Sequence, residues 1–533
     1  MTVVSEEIPS WMPQDTKEEL KLLEAKKIKE RSKLSLKDRI LSLRYARTTK
    51  YQWHTMPFFL MYMLACAYAD ISSLELVKAA ARSNFESITK FMKKIFLLVE
   101  IGIDLPRSIE ITRKEARLPY LRDFLQRFAQ IAKIGEDVVA FLNKEYNTFM
   151  IMYSSDAERS HTRLRRFTEA YSAILSSAVL IVMVIIFSGM IWGAGLEMIS
   201  VTVPGVIAIY AFFSVLFYVY SPLIRLVSCG ERSEELTRLL KLDKLVLRVT
   251  LALSVCVLAL LMLGLLPRDF GLILEAVTGL PALLIGYFGL RKTKKIEVLD
   301  ERFPEFITML ATSLSTLGTS LMFAFQDIAR LDFGKLSSYV KRMATRLGLG
   351  ISKNTSWSSF KKETSSELVR IHVDAFVEAN SYGAPAKLFG PLITNSSILL
   401  LSLRKRAGET AALMKGIVVP MHPVLCAIMG LVMAIVSTFS KLFKQFQASG
   451  IAVLFVGELS VPVISNYIYI LIFALSLINA FILYEITGEQ EFNMTFYTGL
   501  FIVSGWMTYY LFLTMVANYL ALIGLSKIAP VPF

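Results

Sequence analysis

The sequence predicts an all-α polytopic integral membrane protein: about seven transmembrane helices and two repeated cytoplasmic antiparallel helical-bundle domains. Three observations predict it. The 533-residue chain is 54% hydrophobic with a mean hydropathy of +0.52, well outside the range of an ordinary soluble enzyme. Its apolar residues gather in runs of roughly 20, the length that crosses a bilayer. Two polar, helix-patterned blocks, each ahead of membrane spans, match one another at a nearly constant shift.

Residues 1–56 form a basic amphipathic arm. In "KEELKLLEAKKIKERSKLSLKDRI" the leucines and isoleucines recur at helical spacing, so the arm either lies on a membrane surface or partner or stands as a solvated helix. The opening "MTVVSEEIPS" is acidic where a secretory signal would be basic.

Residues 57–170 form the first cytoplasmic helical domain. It opens on "MPFFLMYMLACAYAD", which resembles a span but is apolar for only about 13 residues, short for a bilayer. Shifted by 247, it meets "FPEFITMLATSLSTLGTS", so that Pro57 meets Pro304, Ser73 meets Ser320 and Leu74 meets Leu321. The second copy carries Glu305, Thr308, Thr312 and Ser313 and is too polar for lipid. The first copy is therefore expected to be a buried helix of a soluble block. A second match, at a shift of 248, aligns Phe128 with Phe376 and Gly135 with Gly383.

Four spans are expected within 171–290, at 171–192, 203–224, 245–266 and 271–290. Residues 291–415 form the second cytoplasmic domain. Three more spans, at 416–439, 466–484 and 495–524, lie within 416–533. The cations set the orientation. Arg163, Arg165 and Arg166 precede the first span, Arg291, Lys292, Lys294 and Lys295 follow the fourth, and Arg404, Lys405 and Arg406 precede the fifth, while "GAGLEMISVT" between the first two has none. Residues 1–170, 225–245 and 291–415 are thus expected in the cytoplasm, in a multi-pass cell-membrane protein with a cytoplasmic N-terminus. The last hairpin is ambiguous, with Lys441 and Lys444 outside and Glu485 inside.

The net charge of +14 suits anionic lipid or an acidic partner. It argues against nucleic acid, because the cations cluster beside spans rather than on one soluble face. Cys66, Cys229, Cys256 and Cys426 contain no C-x-x-C pair, which argues against a disulfide framework or a zinc site. No phosphate loop, H-E-x-x-H or G-x-S-x-G occurs. No catalytic residue, metal or cofactor is therefore assigned, and the chain cannot drive itself with ATP. Glu275 and His422 are ionisable groups inside spans. Either they form a transporter's proton relay, or Glu275 pairs with a neighbouring helix while His422, between Pro420 and Pro423, fills a backbone bond freed by the prolines. The lack of a wider polar stripe favours the second reading. Gly135, Gly318 and Gly383 stand where turns or close helix approach need no Cβ.

Taken together, "RFPEFITMLATSLSTLGTSLMFAFQDIA", the Gly135-Glu136 pair in "KIGEDVVAFL", the duplicated blocks and "PMHPVL" before the fifth span resemble the type II secretion F family, most closely its archaeal branch. Departures are Gly383-Ala384 in the second copy and Asp70-Ile71 where a turn glycine belongs. The resemblance implies a non-enzymatic platform for an archaellum, pilus or secretion filament. Its implied partners are a hexameric secretion ATPase and pilin-like subunits with class III signal peptides; the cation clusters suit membrane lipids, and a homodimer would suit a six-fold motor. The three cation clusters are the expected ATPase-docking residues.

Overall fold

The computed structural model describes residues 36–192, 195–221, 232–317, 320–448, 461–488 and 492–522. Most of the basic arm and Gly318 lie outside these residues, as does Cys229. Among the described residues the fold is wholly helical, and seven helices are long and apolar enough to cross a membrane.

The first block comprises α1 (Leu36–Ala67), α2 (Ser73–Arg82), α3 (Glu86–Glu100), α4 (Leu105–Arg113), α5 (Pro119–Ile134) and the start of α6 (Val138–Trp192). The membrane helices α7 (Gly195–Tyr220), α8 (Glu234–Met262) and α9 (Arg268–Thr278) follow. The second block takes the end of α10 (Leu280–Leu317), then α11 (Leu321–Ile328), a 3-10 turn at Gly334–Leu336, α12 (Ser337–Gly348), α13 (Lys353–Thr364), α14 (Glu367–Ser381) and the start of α15 (Ala386–Ala448). Helices α16 (Val461–Ile486) and α17 (Asn493–Leu520) complete the bundle.

The duplication is legible in the caps. Ser72 and Ser320 both cap in extended conformation, Gly102 and Gly350 both take positive φ, and Gly135 and Gly383 do so at 78° and 83°, each pair 248 residues apart. A side chain there would strain the left-handed backbone, which glycine adopts freely. The register corrects one detail: Ser72, not Ser73, is the counterpart of Ser320. Asp70, in the slot of Gly318, adopts φ 54° itself, a conformation short polar side chains tolerate. Pro57 and Pro304 do not begin helices; α1 and α10 run through them.

The stretch 56–67 is buried on every side. It packs against α2 and α3 of its own block, against α6, and against α14 and α15 of the other. A helix covered all round can be apolar all round. Its counterpart in α10 keeps Phe306, Ile307, Leu310 and Ala311 inside and Glu305, Thr308 and Thr312 outside, because only one face is covered. The two copies are joined at Arg370, which pairs with Glu367 at 2.6 Å and donates to the Asn84 carbonyl at 3.3 Å.

Three helices pass from block to bundle without a break: α6 with 55 residues, α10 with 38 and α15 with 63. At 1.5 Å per residue, α15 is about 95 Å long. The boundaries expected at 170/171, 290/291 and 415/416 all fall inside these helices.

The contacts also settle which ends share a side. Lys50 Nζ donates to the Val219 carbonyl at 3.1 Å, Ser221 Oγ to Glu485 Oε2 at 3.0 Å, and Thr495 Oγ1 to Asp243 Oδ2 at 3.0 Å. The C-terminal end of α16 and the N-terminal end of α17 therefore lie on the same side as the two blocks. The opposite end holds Arg268 against Tyr469 and Ser465.

Candidate functional site

The cation clusters form two faces where helices leave the bundle. On the first, α6 and α15 are adjacent: Arg406 reaches Glu158 at 3.7 Å and Thr410 Oγ1 lies 2.8 Å from His161 Nδ1. This joins Arg163, Arg165 and Arg166 to Lys405 and Arg406. Arg163 stands over the Tyr220 ring and Arg165 pairs with Glu169 at 3.3 Å, both exposed, as are Arg166 and Lys405. Such exposed pairs contribute little to stability and exchange readily for a partner's carboxylates.

Arg404 differs from its neighbours. Its side chain is 12% exposed and pairs with fully buried Asp300 at 2.5 Å, which Ser366 Oγ also contacts at 2.5 Å. It ties α15 to α10 and is not presented outward.

On the second face α10 meets the start of α8. Lys292 pairs with Glu235 at 2.5 Å, and with Lys295, Tyr339 and Ser365 it lines a cavity of about 240 Å³. The two lysines hold the Glu235 carboxyl below its usual range. Arg291 and Lys294 are exposed beside them. Gly135 and Glu136 lie apart from both faces, in the exposed turn between α5 and α6.

Inside the bundle Glu275 and His422 share no hydrogen-bond partner among the described residues. His422 sits in a network of its own. Tyr171 donates to Asn479 Oδ1, and Asn479 Nδ2 donates to His422 Nδ1 at 3.1 Å. Because Nδ1 accepts, Nε2 carries the proton and donates to the Phe501 carbonyl at 3.2 Å, with Ser476 Oγ also 3.2 Å away. Both ring nitrogens are engaged, so a relay through His422 has no open end. The expected backbone bond is present, but to the Phe501 carbonyl of α17 rather than to a carbonyl of α15, the helix that carries the prolines. This network joins α6, α15, α16 and α17, residues too far apart in sequence for spacing to reveal. Glu275 makes no ion pair with a neighbouring helix; neither carboxyl oxygen completes a hydrogen bond among the described residues, although the Ser254 hydroxyl of α8 lies close by. No group of three or more His, Cys, Asp or Glu able to hold a metal occurs among the described residues.

The class these features define is a multi-pass, all-α membrane protein with a duplicated helical block riding on continuous membrane helices. In sequence the chain is similar to flagella accessory protein J of Methanocaldococcus jannaschii, 26% identical over 364 residues, 66% of this chain and 64% of that protein. It is also similar to flagella accessory protein J of Methanococcus voltae, 24% identical over 359 residues, 64% of this chain and 62% of that one. The match thus spans under two thirds of either relative's length. No protein-family profile matches the chain, and no solved structure does. The similarity bears out the resemblance to the archaeal branch of the type II secretion F family.

Proposed function

We propose that the chain is the membrane platform of an archaellum-type filament machine, with its N-terminus and both blocks in the cytoplasm. There it couples a hexameric secretion ATPase to the extraction of pilin-like subunits with class III signal peptides and their assembly into a filament. It acts as a machine part rather than an enzyme, and a homodimer would suit a six-fold motor. The observation that carries this reading is the set of unbroken helices α6, α10 and α15. A block pushed by a motor can displace the membrane bundle only through elements that do not bend, and an intact α-helix is such an element. Similarity to proteins named for flagella supports the choice of filament.

Arg291, Lys292, Lys294 and Lys295 form one docking surface, and Arg163, Arg165, Arg166, Lys405 and Arg406 the other. Both also lie close enough to the spans to meet lipid headgroups. The test mixes the detergent-solubilised protein with the secretion ATPase of the same genome and records co-elution and ATP turnover. Association that is lost on reversing charge at Arg291, Lys292, Lys294 and Lys295, and weakened by salt, is the expected result. No association at low salt in any lipid would overturn the reading.

A further inference from the structure

A buried polar file runs through the membrane half of the fold along α8, α9 and α17. On α8, Asp243, Thr250 and Ser254 are buried, spaced seven and four apart and so on one face. On α17, Thr495, Thr498, Trp506 and Tyr509 are buried and also share a face. The block-side end is the Thr495–Asp243 hydrogen bond at 3.0 Å. The far end is Arg268, whose Nε donates to Tyr469 Oη at 3.1 Å. The chain thus has the wider polar stripe that its sequence does not show, and the stripe includes Glu275 but not His422.

Glu275 is 0% exposed, and neither of its carboxyl oxygens is partnered among the described residues. One turn along, Thr278 Oγ1 lies 2.7 Å from Ser254 Oγ and donates to the Glu275 carbonyl at 2.7 Å. Ser254 sits at the centre of the apolar run of α8, so Glu275 is deep in the bundle. Thr498 Oγ1 and Trp506 Nε1 are also buried without partners among the described residues. An ionised carboxylate in this setting would lose its hydration with no cation in exchange, a cost of many kcal/mol that the group escapes by taking a proton.

The charged groups on the elements packed around it are distant. Arg268 and Asp269 lie six or seven residues, about 10 Å, back along α9. Asp243 is three turns from Ser254 on α8, where Arg248 points outward. Tyr509 of α17 lies at the Arg268 end, and α10 brings no charge before Arg291. A metal cation would need a fuller oxygen shell than one carboxylate and the Ser254 and Thr278 hydroxyls supply.

We propose that Glu275 is a proton-binding site, a carboxylic acid that carries its proton inside the membrane at neutral pH and exchanges it along the file toward Asp243. The intact protein in liposomes, examined by infrared spectroscopy, should show the C=O band of a protonated carboxylic acid at pH 7. That band should be missing in Glu275→Gln. Wild-type protein treated with a hydrophobic carbodiimide, which reacts with protonated carboxyls, should carry the label on Glu275 by mass spectrometry, and labelling should fall as pH rises. Asp243→Asn should slow loss of the band after an alkaline pH jump several-fold. A pH 7 spectrum unchanged by Glu275→Gln, or label absent from Glu275 at neutral pH, would overturn the site. Displacement of the proton by NaCl at fixed pH would make it a metal-ion site instead, and an unchanged exchange rate in Asp243→Asn would overturn the path.

Discussion

Helix α10 carries the second block into the membrane and rests on α17 through glycines, which makes Gly499→Ala a sharp test of how the two are joined. A Cβ at Gly499 would lie 2.3 Å from the Leu283 amide nitrogen and 2.7 Å from the Gly279 carbonyl oxygen. Ordinary contact begins near 3.4 Å, so the helices must separate by roughly 1 Å. The obstructing atoms are backbone and cannot rotate away. Overpacking of this kind costs about 1–3 kcal/mol, and the rigidity of both partners puts this case at the upper end. Small residues at such crossings are what let membrane helices approach closely. Gly408 provides the control: it is helical and exposed with open space around it, so Gly408→Ala should gain about 0.5–1 kcal/mol from helix propensity alone. Thermal unfolding of the two variants in the same detergent, followed by circular dichroism, should move in opposite directions. Equal shifts, or a Gly499→Ala protein as stable as the parent, would refute the close α10–α17 contact.

Other substitutions separate docking from folding. Arg404→Glu leaves Asp300 buried without its cation and should destabilise by about 3–5 kcal/mol, whereas Arg406→Glu should leave the melting temperature nearly unchanged and weaken ATPase binding. Loss of binding in Arg404→Glu with unchanged melting would contradict this assignment. Burial lowers the pKa of His372 from 6.5 to about 4. The unfolded chain therefore binds the proton first, and stability should fall by about 3 kcal/mol as pH drops from 6.5 to 4. His372→Gln should flatten that slope in a pH series of melting temperatures. Asn479→Leu removes the bonds to Tyr171 and His422 and should cost about 1–3 kcal/mol, while a neutral outcome in the same melt would show that the network does not tie α6 to α16.

The features carried by local pattern were legible in the sequence. Seven apolar runs correspond to the seven candidate spans among the described residues, although the fourth, 271–290, is divided between α9 and α10, and the repeat pairs Gly135 with Gly383, which both take positive φ. Burial of 56–67 followed from comparing the two copies, although its cause, that α1 sits between both blocks, is a tertiary fact. Domain boundaries escaped because α6, α10 and α15 change environment without changing conformation, so composition shifts where the backbone does not. The inward turn of Arg404 escaped because Asp300 lies a hundred residues away. The polar groups of the bundle were hardest to read: Tyr171, His422 and Asn479 come from three distant helices, as do Ser254, Glu275 and Thr498. Each is unremarkable within its own helix, and only packing makes a set of them.

Filament assembly in the source cell tests the central claim most directly. Removing this chain should leave the pilin-like subunits synthesised and the ATPase soluble and active, with subunits retained in the membrane and no filaments seen by electron microscopy. Re-expression should restore the filaments, and the variant reversed at Arg291, Lys292, Lys294 and Lys295 should not. Filaments of normal number and length without the chain would contradict the platform account.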